Sequence, residues 1–317
     1  MKRANWAAAV AGIVMAVGLT LAPARGEAVT NRLVWGSQQV VQGATRVVVG
    51  VSRTVAGLFS DGNASGADTS ANAQGQNGDA SAQYAGDFEW RGTVKTGQTV
   101  EIKSVNGDII AVRADGDEIQ VRAEKRARRS DPDEVRIEVS EHADGVTLCV
   151  VYPSARSSGD TCESGFRGRN NFRNDVSVTF YVSVPENVAF LGSTVNGDVE
   201  VQDLASDVGA KSVNGDIEIF TTGFAEASTV NGSINAAMGR YNIEAGLSFS
   251  TVNGSISLDL PDDVDADVDA KWLNGRLEAD LPLTLVGRVS RRSAKGVLGE
   301  GGPELNLSTV NGSIHIF

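Results

Sequence analysis

The chain has 317 residues and a formal charge of −12, from 28 Lys+Arg against 40 Asp+Glu. This acidic balance argues against a general nucleic-acid binder, whose footprint is basic, and the two His and two Cys (His142, His315, Cys149, Cys162) fall into no paired zinc-ligand spacing. Glycine at 36, proline at 7 and aromatics at 6% suit many short strands joined by tight turns, so neither metal nor cofactor is expected.

Residues 1–24 form a signal-peptide pattern: basic Lys2 and Arg3, an apolar run from Trp6 to Leu21, and small residues at Ala22 and Ala24. Cleavage after Ala24 or Ala28 fits equally well, and the expected destination is the periplasm, outer surface or extracellular space. In that oxidising setting Cys149 and Cys162 are expected to pair, closing a loop of about 14 residues worth roughly 3 kcal/mol in the chain-entropy model.

In residues 25–59, Gly36, Gly43, Gly50 and Gly57 recur every seven positions, and Val40 with Val47, Val41 with Val48 and Val55, and Val51 with Leu58 keep the same beat. At about 100° per residue these form one apolar stripe with Arg32, Arg46 and Arg53 on the far side, which predicts a basic amphipathic helix. Membrane-surface contact or self-association through residues 29–59 is therefore expected, although glycine and valine both weaken a helix. Residues 60–86 lack Val, Ile and Leu and read as a flexible, disordered linker with a root-mean-square span of roughly 28 Å.

From residue 87 the pattern turns to strands. Alternation predicts them at 88–94, 99–105, 108–114, 118–125, 134–140, 146–152 and 176–184, an irregular β-rich cap on the repeats beyond. One hexad then organises the chain: Ser104-Val-Asn-Gly-Asp-Ile109, with further copies centred on Asn196-Gly197, Asn214-Gly215, Asn231-Gly232, Asn253-Gly254 and Asn311-Gly312, and a divergent Trp272-Leu-Asn-Gly-Arg-Leu277. The first turn is Asn106-Gly107 and the divergent one Asn274-Gly275. From Asn196 onward the steps are 18, 17, 22, 21 and 37 residues, the last a double step with Ser293–Leu298 as a degenerate rung. A period of this length is that of a β-solenoid or β-helix rather than a meander of hairpins. Within the hexad, Val and Ile are expected to face the core, Thr/Ser and Asp/Ser to face out, and Asn-Gly to take a left-handed bend. Stacked coils would superpose the Asn side chains as a ladder that fixes register.

The hexads, with the Cys149–Ser154 run, Arg129-Ser-Asp-Pro132 and the Gly299–Gly302 turn, resemble the bacterial β-strand-repeat family called domain of unknown function 4097, whose members carry the label "putative adhesin". The resemblance covers about residues 87–317. It implies an exported β-repeat protein with no assigned reaction and carries over no catalytic residues.

A search for chemistry finds little. Asp263, Asp265, Asp267 and Asp269 alternate along one strand face; calcium needs several oxygens on one ion, and successive carboxylates lie about 7 Å apart, so a solvated face is expected. Asp198, Asp216, Glu200 and Glu218 would form rows across coils, but glycoside hydrolysis also wants aromatics nearby, and they are few. Arg122, Lys125, Arg126, Arg128 and Arg129 offer a contact for an anionic envelope polymer or a balanced, solvated strand end. The expected molecule is therefore an all-β, non-enzymatic, exported scaffold that binds an envelope polymer or cell-surface ligand, with a carbohydrate-active β-helix enzyme and an envelope sensor as the competing readings.

Overall fold

In a computed structural model the described residues are 83–153, 174–241, 246–287 and 290–317. The expectations for the signal peptide, the helix of residues 25–59, most of the linker, and Cys162 fall outside them. The described part is almost wholly strand, in one sheet of 10 strands and another of 11. For convenience these are the ladder-front and ladder-back sheets.

In chain order, β1 (Gln83–Gly92) precedes the first coil, β2 (Thr99–Lys103) and β3 (Ile109–Arg113), and β4 (Ile119–Ala127) and β5 (Arg136–His142) come after it. Next come β6 (Gly145–Val151) with β7 (Ser177–Val184), β8 (Ala189–Ser193) with β9 (Val199–Leu204), and β10 (Val208–Lys211) with β11 (Ile217–Thr221). The series continues with β12 (Ala225–Ser228) and β13 (Ile234–Met238), then β14 (Leu247–Asn253) and β15 (Ile256–Asp259). It ends with β16 (Ala266–Asn274), β17 (Leu277–Ala279), β18 (Thr284–Leu285), β19 (Ser293–Leu298), β20 (Glu304–Asn311) and β21 (Ile314–Ile316).

Each coil that carries a hexad puts one strand in the back sheet, turns at its Asn-Gly, and puts the next in the front sheet; the coil of β6 and β7 has no Asn-Gly. Coils pair in parallel, for example Ile217 with Val199 on one side and Ile234 on the other. Parallel pairing of successive copies is what a solenoid requires and what hairpins cannot give. The seven strands expected between residues 88 and 184 all form, close to the expected bounds. Antiparallel β1, β4 and β5 flank that end, so a ladder edge is replaced by a non-repeating cover.

The stack order departs from the chain order at both ends. The coil of β6 and β7 lies outside the coil of β2 and β3, although it comes later in the chain. At the other end β20 pairs with both β14 and β16, and β21 with both β15 and β17. The C-terminal Asn311 coil is thus seated between the Asn253 and Asn274 coils. Ser293–Leu298 is not a rung: it is antiparallel β19, and Lys295 bonds Asp269 at 2.8 Å where a ladder Asn was expected.

The core lies between the sheets, lined by one side of each strand: Ile109, Phe180, Phe190, Val199, Ile217, Ile219, Ile234, Phe249, Ile256 and Ile314 are at most 1% exposed. The hexad Ile takes its expected inward place, but the hexad Val does not, apart from Val105 of the first copy, which is 6% exposed. Val230 is 37% exposed while Thr194, Ser212, Thr229, Thr251 and Thr309 are at most 6% exposed. Strand parity is the reason, because side chains alternate and the Thr position, two before the Asn, shares the face that enters the core. For Thr194, Ser212, Thr229 and Thr251 burial of that hydroxyl is offset by a hydrogen bond into the adjoining coil, whereas Thr309 Oγ1 is buried without one.

Candidate functional site

The Asn-Gly corner assembles from the hexads. Asn196 Nδ2 donates to Asn106 Oδ1 at 2.8 Å, Asn214 to Asn196 at 2.8 Å, Asn231 to Asn214 at 2.8 Å and Asn253 to Asn231 at 2.7 Å. The run continues through the inserted coil, Asn311 donating to Asn253 at 2.6 Å and Asn274 to Asn311 at 2.8 Å. All these amides point the same way, so each bond polarises the next. At the far end Asn106 Nδ2 lies 3.4 Å from Tyr152 Oη, and that phenol donates to Val176 O at 2.9 Å. Burial pushes the Tyr152 phenol up to about 12, so it stays protonated and able to donate.

Two further rows lie beside the ladder. Thr194, Ser212, Thr229 and Thr251 donate their hydroxyls to the carbonyls of Gly107, Gly197, Gly215 and Gly232. On the outer side, Asp198 N donates to Asp108 Oδ1, Asp216 N to Asp198 Oδ1, and Ser233 N to Asp216 Oδ1. Partial burial raises the Asp198 pKa, and the neighbouring charges of Asp108, Asp216 and Glu200 push the same way. The carboxylate row therefore serves as backbone acceptors along the corner.

Glycine follows each Asn for two reasons: the positive φ of the turn falls on it at Gly107, Gly197, Gly232, Gly254 and Gly312, and the coils approach closely there. Among the described residues only Asn187 and Asp203 are non-glycine positions with positive φ. A Cβ at Gly215 would stand 1.9 Å from Gly197 O, and one at Gly232 would stand 2.0 Å from Gly215 O. Gly254 and Gly275 meet the carbonyls of Gly232 and Gly312 in the same way.

The other expected sites are dispersed. Asp265 accepts from Glu300 N at 2.7 Å, while Asp269 is held by Lys271 at 3.0 Å and Lys295 at 2.8 Å. Burial works against the Asp269 carboxylate, and the two lysines outweigh it to hold its pKa below the usual range. Arg122 and Arg126 both reach Glu124, and Asp175 accepts from the backbone of Arg128, Arg129 and Ser130. Those bonds lower the Asp175 pKa to about 2. Arg122 and Arg126 are thereby tied into their own strand by their side chains, while Arg128 and Arg129 are engaged through their backbone and remain exposed. Cys149 is 4% exposed on β6.

What the sequence did not single out is a groove of about 670 Å³ at the far ends of the front-sheet strands. Phe220, Ala237, Met238 and Leu260 supply its apolar surface, Asp203, Asp259 and Asp262 three carboxylates, and Arg113 a guanidinium ion-paired with Glu186. The fold makes it at one offset. Phe220, Ala237 and Asp259 all stand six residues after a ladder Asn and lie side by side across β11, β13 and β15. The offset was readable from the hexads, but its residues differ from coil to coil, so no motif marked it. Of the carboxyl groups in the described residues, Glu226 has the one pushed to about 7, by burial. It lies on β12 of the back sheet, away from the groove.

Comparison with known proteins places the chain. Three solved structures are similar in part. A "putative cell adhesion protein" from Clostridium sporogenes is 11% identical, covering 73% of this chain and 99% of its own, with a TM-score of 0.39. Two structures described as "putative adhesin", from Bacteroides fragilis and Parabacteroides distasonis, give 11% and 12% identity, each covering 73% of this chain and 97% of its own, with TM-scores of 0.25 and 0.20. No curated protein matches. The Toastrack DUF4097 family model matches residues 175–317, from the edge of β7 through the inserted coil, so this segment is similar to the Toastrack family.

Proposed function

We propose that this is an exported, non-catalytic binding scaffold of the cell envelope, with the front-sheet groove as its binding surface. The observation that carries the reading is the division of labour between the two features of each coil. The repeated residues, Asn, Gly, Thr and Asp, are spent on contacts between coils. The non-repeated residues six positions further on are gathered into a concave surface with an apolar floor and polar rim, the make-up of a ligand site. Three carboxylates against one already-paired Arg113 favour a ligand rich in hydroxyl or amine donors, which suits an envelope polymer.

The enzyme reading has one observation in its favour, since the groove does gather carboxylates and an aromatic. Against it, Phe220 is a single half-buried ring, and Glu226, the carboxyl that holds a proton near neutral pH, is elsewhere. Export through residues 1–24 and a Cys149–Cys162 disulfide belong to the same proposal.

Cosedimentation with purified peptidoglycan sacculi tests it, alongside release of reducing ends. The expected result is saturable binding without release, lowered at least about tenfold in Phe220→Ala/Asp259→Asn at unchanged Tm, the loss of one aromatic and one acceptor contact. Release of reducing ends that disappears in that variant would establish the enzyme instead.

A further inference from the structure

We infer that the groove is the docking site of the chain's own residues 40–59, the part of the glycine heptad nearest the linker. Three features meet. The groove presents half-buried Phe220, with Met238 and Leu260 beneath at 5% exposed, beside Asp203, Asp259 and Asp262. Residues 40–59 carry Arg46 and Arg53 and no acid, with Val40, Val47, Val51 and Leu58 in one apolar stripe. In an aqueous compartment that stripe needs cover, and the groove offers an apolar floor with a rim of opposite charge.

Reach and length agree with the pairing. From the start of β1 at Gln83, strand spacing and rise put the groove roughly 40 Å away. The intervening residues 60–82 extend to about 80 Å at full stretch, so the groove is within their range. Covalent linkage then supplies an effective concentration on the order of millimolar, enough to fill a site whose individual contacts are modest. From the Asn106 coil to the Asn253 coil the groove spans roughly 19 Å at ~4.8 Å per coil. A helix of residues 40–59 would be about 30 Å long, so it covers the groove from end to end.

Docking would make the segment a competitor for any ligand of the same surface, released when the ligand or a membrane takes its place. This regulation rests on the binding reading above; the docking itself does not.

The test is photocrosslinking of the full mature chain carrying p-benzoylphenylalanine at Phe220, with peptide mapping. The expected crosslinks fall within one chain, to residues 40–59. Arg46→Glu/Arg53→Glu should lower their yield about fivefold, the worth of two exposed ion pairs, and adding Asp203→Arg/Asp259→Arg should restore it. Absence of crosslinks, crosslinks to another segment, or crosslinks between isotopically labelled and unlabelled copies would each overturn the proposal. Sacculus binding is read separately. Intrachain crosslinks in a protein that ignores sacculi would leave the docking standing and sink the ligand reading.

Discussion

Inside a coil, one residue of parity decides what a substitution costs. Ile217 is 1% exposed and Val213 is half-buried on the outer side of the corner, although both flank the same Asn-Gly. Ile217→Asp should therefore lower stability by several kcal/mol and Val213→Asp by about 1 kcal/mol or less, measured by urea denaturation. Equal losses would contradict the parity. Gly215→Ala should be severe as well, because a new Cβ at 1.9 Å from Gly197 O forces the coils apart. Glu226 gives a pH signature. Burial raises its folded pKa to about 7 from 4.5, so the folded state holds a proton that the unfolded state has released between those values. Stability should fall as pH rises through this window, by up to about 3 kcal/mol. Lys211, lowered by burial to about 8 from 10.5, acts in the opposite sense, restoring stability from about pH 8 upward. A denaturation series of Glu226→Gln should lack the fall between pH 4.5 and 7; an unaltered profile would contradict the assignment.

Among the elements, the inserted C-terminal coil carries the most. β20 and β21 each pair on both sides, so removing residues 303–317 would bare β14, β15, β16 and β17 at once. Deleting residues 83–92 removes a strand paired on one side only. The first deletion should give a protein that unfolds in more than one step and self-associates, and the second a cooperative monomer of lower Tm. Calorimetry with light scattering distinguishes them; matching behaviour would contradict the insertion. This arrangement also marks where the sequence stops being informative. Strands from 88 to 184 were legible because alternation of apolar and polar residues is a local signal. Coil order was not, because Asn253, Asn274 and Asn311 present nearly identical edges, and any of them can stack on any other at the same cost in local pattern. For the same reason Ser293–Leu298, with Gly296 in the right place, passed for a rung. The parity of Thr and Val was misread because hydrophobicity ranks Val inward, and the carbonyl of the adjoining coil, which makes a buried Thr favourable, is invisible until coils are stacked.

For the whole molecule, the two features divide cleanly: a polar ladder that holds the coils in register, and a groove built from the positions that do not repeat. The ladder was readable from the Asn spacing. The groove was not, because its members share an offset rather than a residue type. Cosedimentation with sacculi, run with thermal melts on the wild type, Phe220→Ala/Asp259→Asn and Asn214→Ala, tests that division most directly. Asn214→Ala removes an exposed link between Asn196 and Asn231, and should cost about 1 kcal/mol of stability while leaving binding unchanged. The groove variant should lose binding and keep its Tm. If binding is lost with the ladder and survives loss of the groove, the stacked corner is the recognition surface and the groove is not.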